Sequence, residues 1–337
     1  MFNETLLFDY KKNIKSAIEI NGPLIKKVIH KKRLYVPQHW GTIRKCDLIQ
    51  NKDKYPSGSH WNRYNLASLN IVAAKCQRED IIPVQFFKKE EFRKNYKKID
   101  EIIHDSINKQ TLKNKTWRDF GIENESVQTL FIELEKIYNP ENKASVETTS
   151  EDKDESYTDA YVSSFFKALG FNTLNLPNYN IWPRGTFTSI ICGLKCETTV
   201  DFRIETSRNG QEIVFIFEES KRLKPDHTRT PDEIFGQICC HIICIASSYV
   251  VKSGKDQEVF GIGVQHDRWR FYHAFVPYAY IFEIGSPISS LSDDVYLIVK
   301  YSEEFNIGEP LERKYIVENI FSIIQYEKSG SSFIGNI

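Results

Sequence analysis

The sequence predicts an α/β protein: a mainly helical, basic N-terminal region followed by one in which helices and strands alternate. Three observations carry this expectation. After residue 155 the apolar residues change their spacing repeatedly, from helical to strand-like and back. Two strand-like runs flank Asn209-Gly210, a strong two-residue hairpin signal. Thr230-Pro231-Asp232-Glu233 then opens a long apolar stretch with threonine at the N-cap, proline at the first helical position and glutamate at the third, a capping box.

Taken in order, residues 64–75 and 86–107 space their apolar side chains as amphipathic helices do, and residues 127–138 are helix-like as well. Residues 139–154, NPENKASVETTSEDKD, combine Pro, Ser, Thr and acids with almost no large apolar side chain. A domain boundary is expected there: a basic, mainly helical domain over 1–138, a linker over 139–154 and an α/β domain over 155–337. Over 157–169, Tyr161, Val162, Phe165, Phe166 and Leu169 fall on one helical face, and Gly170 stands where a helix ends. The hairpin strands are read as 198–206 and 212–219. Beyond the capped helix, residues 258–265 and 269–276 read as another strand pair around His266-Asp267-Arg268, and a last helix lies near 315–326.

Composition narrows the class. At 337 residues the chain is about twice the ~150-residue prior for one domain, so one large domain or two ordinary ones both fit. Its 41% hydrophobic and 27% charged content excludes a mainly disordered chain. No run approaches the ~20 consecutive apolar residues that cross a bilayer, so no membrane partner is expected. The N-terminus lacks the basic and small-residue features of a secretory signal, and an odd count of seven cysteines suggests thiols in a reducing compartment. A soluble protein at a cytosolic or nuclear site is expected.

Charge is unevenly spread although 45 basic and 45 acidic residues cancel overall. Residues 1–150 hold 27 Lys and Arg against 19 Asp and Glu, and the remainder 18 against 26. Such a basic half suits a polyanionic partner; ordinary solvated charge is the alternative. Residues 31–45, with KKRLYV and QHWGTIRK, interleave aromatic and basic side chains, a pattern for phosphate contact with base stacking or for a plain solvated edge.

The residues with the most chemical content close the hairpin. Residues two apart on a strand point the same way, so Glu219 and Lys221 share a face, while Val214, Phe215, Ile216 and Phe217 bury the strand upstream. With Arg208 opposite Gln211, a regular ladder sets Asp201 opposite Glu218, one step from Glu219. A twist, a bulge or a one-residue shift would bring Asp201 round. Two carboxylates with an ammonium suit a hard cation such as Mg²⁺, which takes oxygen ligands, acidifies a bound water and polarises a phosphoryl oxygen. A lysine beside that water orients it and offsets negative charge, and phosphodiester hydrolysis needs these parts. The competing reading is a cross-strand ion pair of Lys221 with Glu219 or Glu218 on a solvated edge.

This order of Asp, hairpin, apolar strand, Glu-x-Lys and helix resembles the PD-(D/E)xK, or restriction-endonuclease-like, nucleases, with Asp201, Glu219 and Lys221 on the motif positions. The stretches YVSSFFKALGF (161–171), TVDF (199–202), IVFIFEESKRL (213–223), GQICCHIICIA (236–246) and GIGVQHDRWRFY (261–272) are similar to the nuclease-like domains of fungal crinkler-type effector and toxin proteins, over residues 155–285. The resemblance implies a C-terminal αβββαβ core and a nuclease using Mg²⁺ or Mn²⁺ to hydrolyse DNA or RNA. In it Asp201 and Glu219 hold the metal and Lys221 orients the water. It equally implies an alternative, since members of this fold that have lost catalysis act as effectors by binding nucleic acid or a host protein. Val200 stands where the family places proline.

Further candidates follow from position. Gln237, in the first turns of the capped helix, matches a glutamine that some related nucleases place near the metal water, and His241 lies four residues on, on the same face. Glu155 or Asp159 adds a metal ligand from the preceding helix, or simply complements its macrodipole. Arg222 and Lys224 hold phosphate or solubilise the strand end. Cys239, Cys240, His241 and Cys244 lie on one helix without paired C-x₂-C loops, and Cys192 and Cys196 lack a second pair, so buried thiols are expected. No phosphate-binding glycine loop and no G-x-S-x-G occurs.

Overall fold

The computed structural model describes residues 34–35, 56–61, 63–87, 99–139, 150–172, 176, 178–208, 210–221, 231–287, 291 and 295–335. In chain order its elements are β1 (Leu34–Tyr35), α1 (Arg63–Ser68), β2 (Ile71–Lys75), α2 (Arg78–Ile81), α3 (Ile99–Ile103), α4 (Lys109–Lys113), α5 (Glu125–Tyr138) and α6 (Ser150–Leu169). Then come β3 (Tyr179–Ile191), β4 (Leu194–Arg208), β5 (Gln211–Lys221), α7 (Pro231–Ser253), β6 (Gln257–Gln265), β7 (Arg268–Val276), α8 (Tyr278–Gly285), β8 (Leu297–Tyr301), β9 (Phe305–Asn306) and α9 (Pro310–Lys328). The nine strands make one mixed sheet in the order β1-β2-β8-β7-β6-β5-β4-β3, with β9 beside β7.

The region that positions the candidate residues runs helix, three antiparallel strands, helix, strand: α6, β3-β4-β5, α7, β6. The return through α7 makes β6 parallel to β5, and β7 continues antiparallel. Tyr161, Val162, Phe165, Phe166 and Leu169 are all buried, as their spacing requires, and Gly170 ends α6 at φ 97°, a conformation that glycine adopts without a Cβ penalty. Helix α7 lies across β3, β4 and β6. Its Ile234–Ser253 stretch is long and apolar enough to cross a membrane but is mostly buried inside the protein. It is a core helix, and no other helix among the described residues is as long and apolar.

Several expected elements differ. Residues 71–75, expected to continue a helix, form β2 instead: Asn70 takes φ 50°, its side-chain amide donates to the Val295 carbonyl at 2.9 Å, and Ile71–Lys75 pairs parallel with Leu297–Tyr301. Of 86–107, the described part holds a short 3₁₀ turn at Val84–Phe86 and α3, not one helix. Strand β3 had no sequence signal because Asn180, Pro183 and Gly185 interrupt it, yet it lies at the sheet edge, where a missing N–H is tolerated. Residues 150–154, expected as linker, are the first turn of α6; the segment 140–149 lies outside the described residues.

The basic first part shares the sheet and the core of the second. A single apolar cluster runs from Trp61 to Ile334. Arg313, fully buried, donates to the carbonyls of Ile102 (2.7 Å), Ile107 (2.6 Å), His104 (3.3 Å) and Ile307 (2.8 Å), fastening the turn after α3 to α9. Asp267, between β6 and β7, accepts from Lys109 at 3.0 Å and from the Tyr138 hydroxyl at 3.1 Å. The mainly helical N-terminal region thus also contributes β1 and β2 to the common sheet. The aromatic and basic segment 31–45 and the pair Arg222 and Lys224 lie, apart from β1, outside the described residues.

Candidate active site

The hairpin ladder contains the irregularity that decides the site. Arg208 pairs with Gln211 and Glu205 with Val214, but beyond Ile204 the register slips by one, so that Ile204 pairs with Ile216 and Phe202 with Glu218. Phe215 is the extra residue of a β-bulge. One further step of the shifted ladder brings Asp201 alongside Glu219, not Glu218. The Asp201 carboxylate accepts the Ser220 N–H at 2.8 Å.

Across the sheet, register partners share a face. Glu219 pairs with Gly263 and Gly263 with Arg270; Lys221 pairs with Gln265 and Gln265 with Arg268. Asp201, Glu219, Lys221, Arg268 and Arg270 therefore converge on one face near the C-terminal ends of the parallel strands β5 and β6, where open α/β sheets place their ligands. Gly263 has no side chain, and a Cβ there would stand 3.0 Å from the Tyr272 ring. A cavity of about 150 Å³ opens at this point, lined by Glu219, Ile234, Arg268, Arg270 and Tyr272 among others. Arg270 is held by Glu304 at 2.7 Å.

Helix α7 supplies the back wall. Gln237 donates from Nε2 to Glu219 Oε1 at 2.5 Å, and Lys221 Nζ forms an ion pair with the same oxygen. One turn on, the buried His241 places Nε2 2.9 Å from Glu219 Oε2, while its Nδ1 lies 2.7 Å from the Thr198 hydroxyl. The Phe217 ring meets the imidazole edge-on at 5.4 Å. Glu219 thereby has two side chains on Oε1 and the His241 imidazole close to Oε2, with no aligned hydrogen bond at that second oxygen.

Burial and charge set the protonation of the three carboxyls. Burial would push Glu219 up, but His241 and Lys221 outweigh it and hold the group below its ordinary value. Burial and then the charge of Glu219 push Asp201 up to about 7, with Lys221 and the Ser220 N–H opposing. Burial, followed by Asp201, drives Glu218 well above the carboxylate range. It accepts from the Ser220 hydroxyl at 2.8 Å through Oε1, and its Oε2 is buried without a hydrogen bond. The two adjacent glutamates are thus distinct: Glu219 is a charged member of the cluster and Glu218 a neutral acid on the opposite face.

The structure therefore brings together Asp201, Glu219, Lys221 and Gln237. Asp159, on α6, adds a minor upward push to Asp201 and Glu218 by its charge, while its helix packs through Tyr161 and Trp269 on the Glu218 face of the sheet. Glu155 lies one turn earlier, and its side chain is outside the described residues. Thr198 and the pair Arg268 and Arg270 were not singled out by sequence reasoning. The i,i+4 spacing of Gln237 and His241 was a signal for the histidine; Thr198 offered none. No family model matches the chain, and no curated protein matches it.

Proposed function

We propose that the chain is a metal-dependent nuclease with a restriction-endonuclease-like core, cleaving phosphodiester bonds of DNA or RNA. The observation that carries this reading is the bulge at Phe215, which aligns Asp201 with Glu219 and Lys221 on the face that holds the two arginines. The residues fit a hard cation: two carboxylates share one face, and burial first and the charge of Glu219 second push Asp201 up, both of which positive charge would relieve. Asp201 and Glu219 would hold Mg²⁺ or Mn²⁺. When bound, such a cation supplies a more acidic water and neutralises phosphoryl charge. Lys221 orients the attacking water and offsets developing negative charge. Gln237 and His241 keep the Glu219 carboxylate in place. Arg268 and Arg270 receive the phosphate backbone beside the reacting centre.

A second reading, a nuclease-fold binding module without turnover, is favoured by a different observation. Lys221 and Gln237 already engage one oxygen of Glu219 and His241 stands beside the other, so the chain itself supplies counter-charge and a donor to this carboxylate. One experiment separates the two. Purified protein, Asp201→Ala and Lys221→Ala are incubated with supercoiled plasmid, linear DNA, single-stranded DNA and RNA in EDTA, Mg²⁺ or Mn²⁺. Metal-dependent cutting by the wild type alone supports the nuclease. Intact substrates in every lane, with salt-sensitive binding retained, support the binding module.

A further inference from the structure

We propose that Cys196, Cys240 and Cys244 form a three-thiolate site for a thiophilic cation, Zn²⁺ or Cu⁺, buried beneath the sheet and separate from the carboxylate cluster. The two helical cysteines are four residues apart and therefore lie on the same face of α7, with sulfurs 4.0 Å apart. Cys196 comes from the facing strand β4 and stands 3.7 Å from Cys240. All three sulfurs lie within 4.8 Å of one another, and all three residues are buried. A cation bound to thiolates at about 2.3 Å spaces its sulfurs by roughly 3.8 Å when tetrahedral and about 4.0 Å when trigonal. Two of the three separations, 3.7 and 4.0 Å, thus already match those that such an ion imposes, and the third, within 4.8 Å, needs only a small closure.

The surroundings agree with this. Soft sulfur donors select Cu⁺ and Zn²⁺ over hard cations, so this site and the carboxylate cluster would not compete for one ion. The Cys196 thiol also donates to the Pro56 carbonyl at 3.3 Å, at the margin of the triad. The segment at residues 56–61 covers the cluster closely: a Cβ on Gly58 would collide with the Thr198 hydroxyl and meet Cys240. Binding releases the thiol protons to solvent and leaves three thiolate–metal bonds. Cys196 is two residues before Thr198, and Cys240 immediately precedes His241, so a bound ion would clamp β4 to α7 directly behind the Glu219 support. The sequence suggested packed thiols because Cys196, 44 residues before Cys240, could not be placed near the helix from spacing.

The test uses the full chain, purified under reducing conditions without chelator, then loaded separately with Zn²⁺ and, anaerobically, with Cu⁺. Each sample is exchanged against a mild competing chelator and weighed by native mass spectrometry. The expected result is about one retained ion per chain with at least one of the metals, and a higher melting temperature than the stripped protein. Cys196→Ala and Cys244→Ala should lose both effects, whereas Cys239→Ala, altered at a buried cysteine outside the triad, should keep them. Wild-type protein that retains neither metal overturns the proposal whatever the variants do. So does undiminished retention in Cys196→Ala, or a thiol titration of denatured protein that finds Cys196 and Cys240 joined as a disulfide.

Discussion

Replacing Asp201 with asparagine tests the electrostatics of the site through stability alone, with no substrate. Asparagine keeps an oxygen that can accept the Ser220 N–H, and it removes the charge that Glu219 and burial oppose. The folded-state value of about 7 lies about three units above the ordinary 3.8. At ~1.36 kcal/mol per unit that sets a ceiling of about 4 kcal/mol, and partial exposure and local relaxation reduce it to about 2 kcal/mol. Because the folded-state value is raised, the native state holds its proton where the unfolded chain has lost it. The wild type therefore loses stability as pH climbs from about 4 to 7 and pays the full cost above 7. Thermal unfolding in EDTA should show Asp201→Asn melting about 3 °C above the wild type at pH 8, given ~1.4 °C per kcal/mol for a chain of this size. The gap should shrink steadily below pH 7 and close near pH 4. Adding Mg²⁺ at pH 8 should raise the wild type and leave the variant unmoved. A gap that does not change with pH, or a variant less stable than the wild type at pH 8, would refute the reasoning.

Three further outcomes are expected. Arg313→Met strands three buried carbonyl acceptors and one part-buried one, so denaturant unfolding should show a loss of about 3–5 kcal/mol; a loss below ~1 kcal/mol would contradict the fastening role. Gly261→Ala drives a methyl into the Phe217 ring behind the site and should cost about 1–3 kcal/mol in the same assay, while a neutral result would mean that β5 and β6 are less closely packed than the structure has them. If the protein cuts nucleic acid, Arg270→Ala should raise KM about 10-fold with kcat little changed and lower the salt dependence of binding by about one phosphate contact. An unchanged KM would remove Arg270 from the substrate path.

The parts of the fold that were legible in the sequence are those specified by neighbours in the chain. Helix α6 declares itself through Tyr161, Val162, Phe165, Phe166 and Leu169, and β4 and β5 through the turn at Asn209-Gly210 and the apolar run after it. Strand β2 did not, because five residues rich in small and apolar side chains fit a helix as well as a strand, and what makes them a strand is pairing with β8, more than 220 residues away. That same pairing gives the basic first part and the acidic remainder one sheet, which no composition boundary reveals. Strand β3 was hidden by Pro183 and Gly185, which only its edge position accommodates.

The site was legible in its residue types and illegible in its geometry. Asp201, Glu219 and Lys221 were singled out as a chemical set, but the regular ladder aligned Asp201 with Glu218. The observed alignment depends on Phe215, an ordinary apolar residue within an apolar run, absorbing one position in a bulge. Nothing in Val214-Phe215-Ile216 marks which residue will bulge, because each is buried and the choice rests on packing against elements elsewhere in the chain: Tyr179 lies 5.1 Å from the Phe215 ring, and the Tyr249 hydroxyl accepts the Val214 N–H at 2.7 Å. Those contacts come from β3, absent from the sequence reading, and from α7, whose start is written locally but whose seating against the hairpin is not. A one-residue slip moves every later side chain of a strand to the opposite face. Here the slip exchanges a neutral, inward Glu218 for a charged Glu219 as the partner of Asp201, so the packing of Phe215 decides which glutamate can do chemistry.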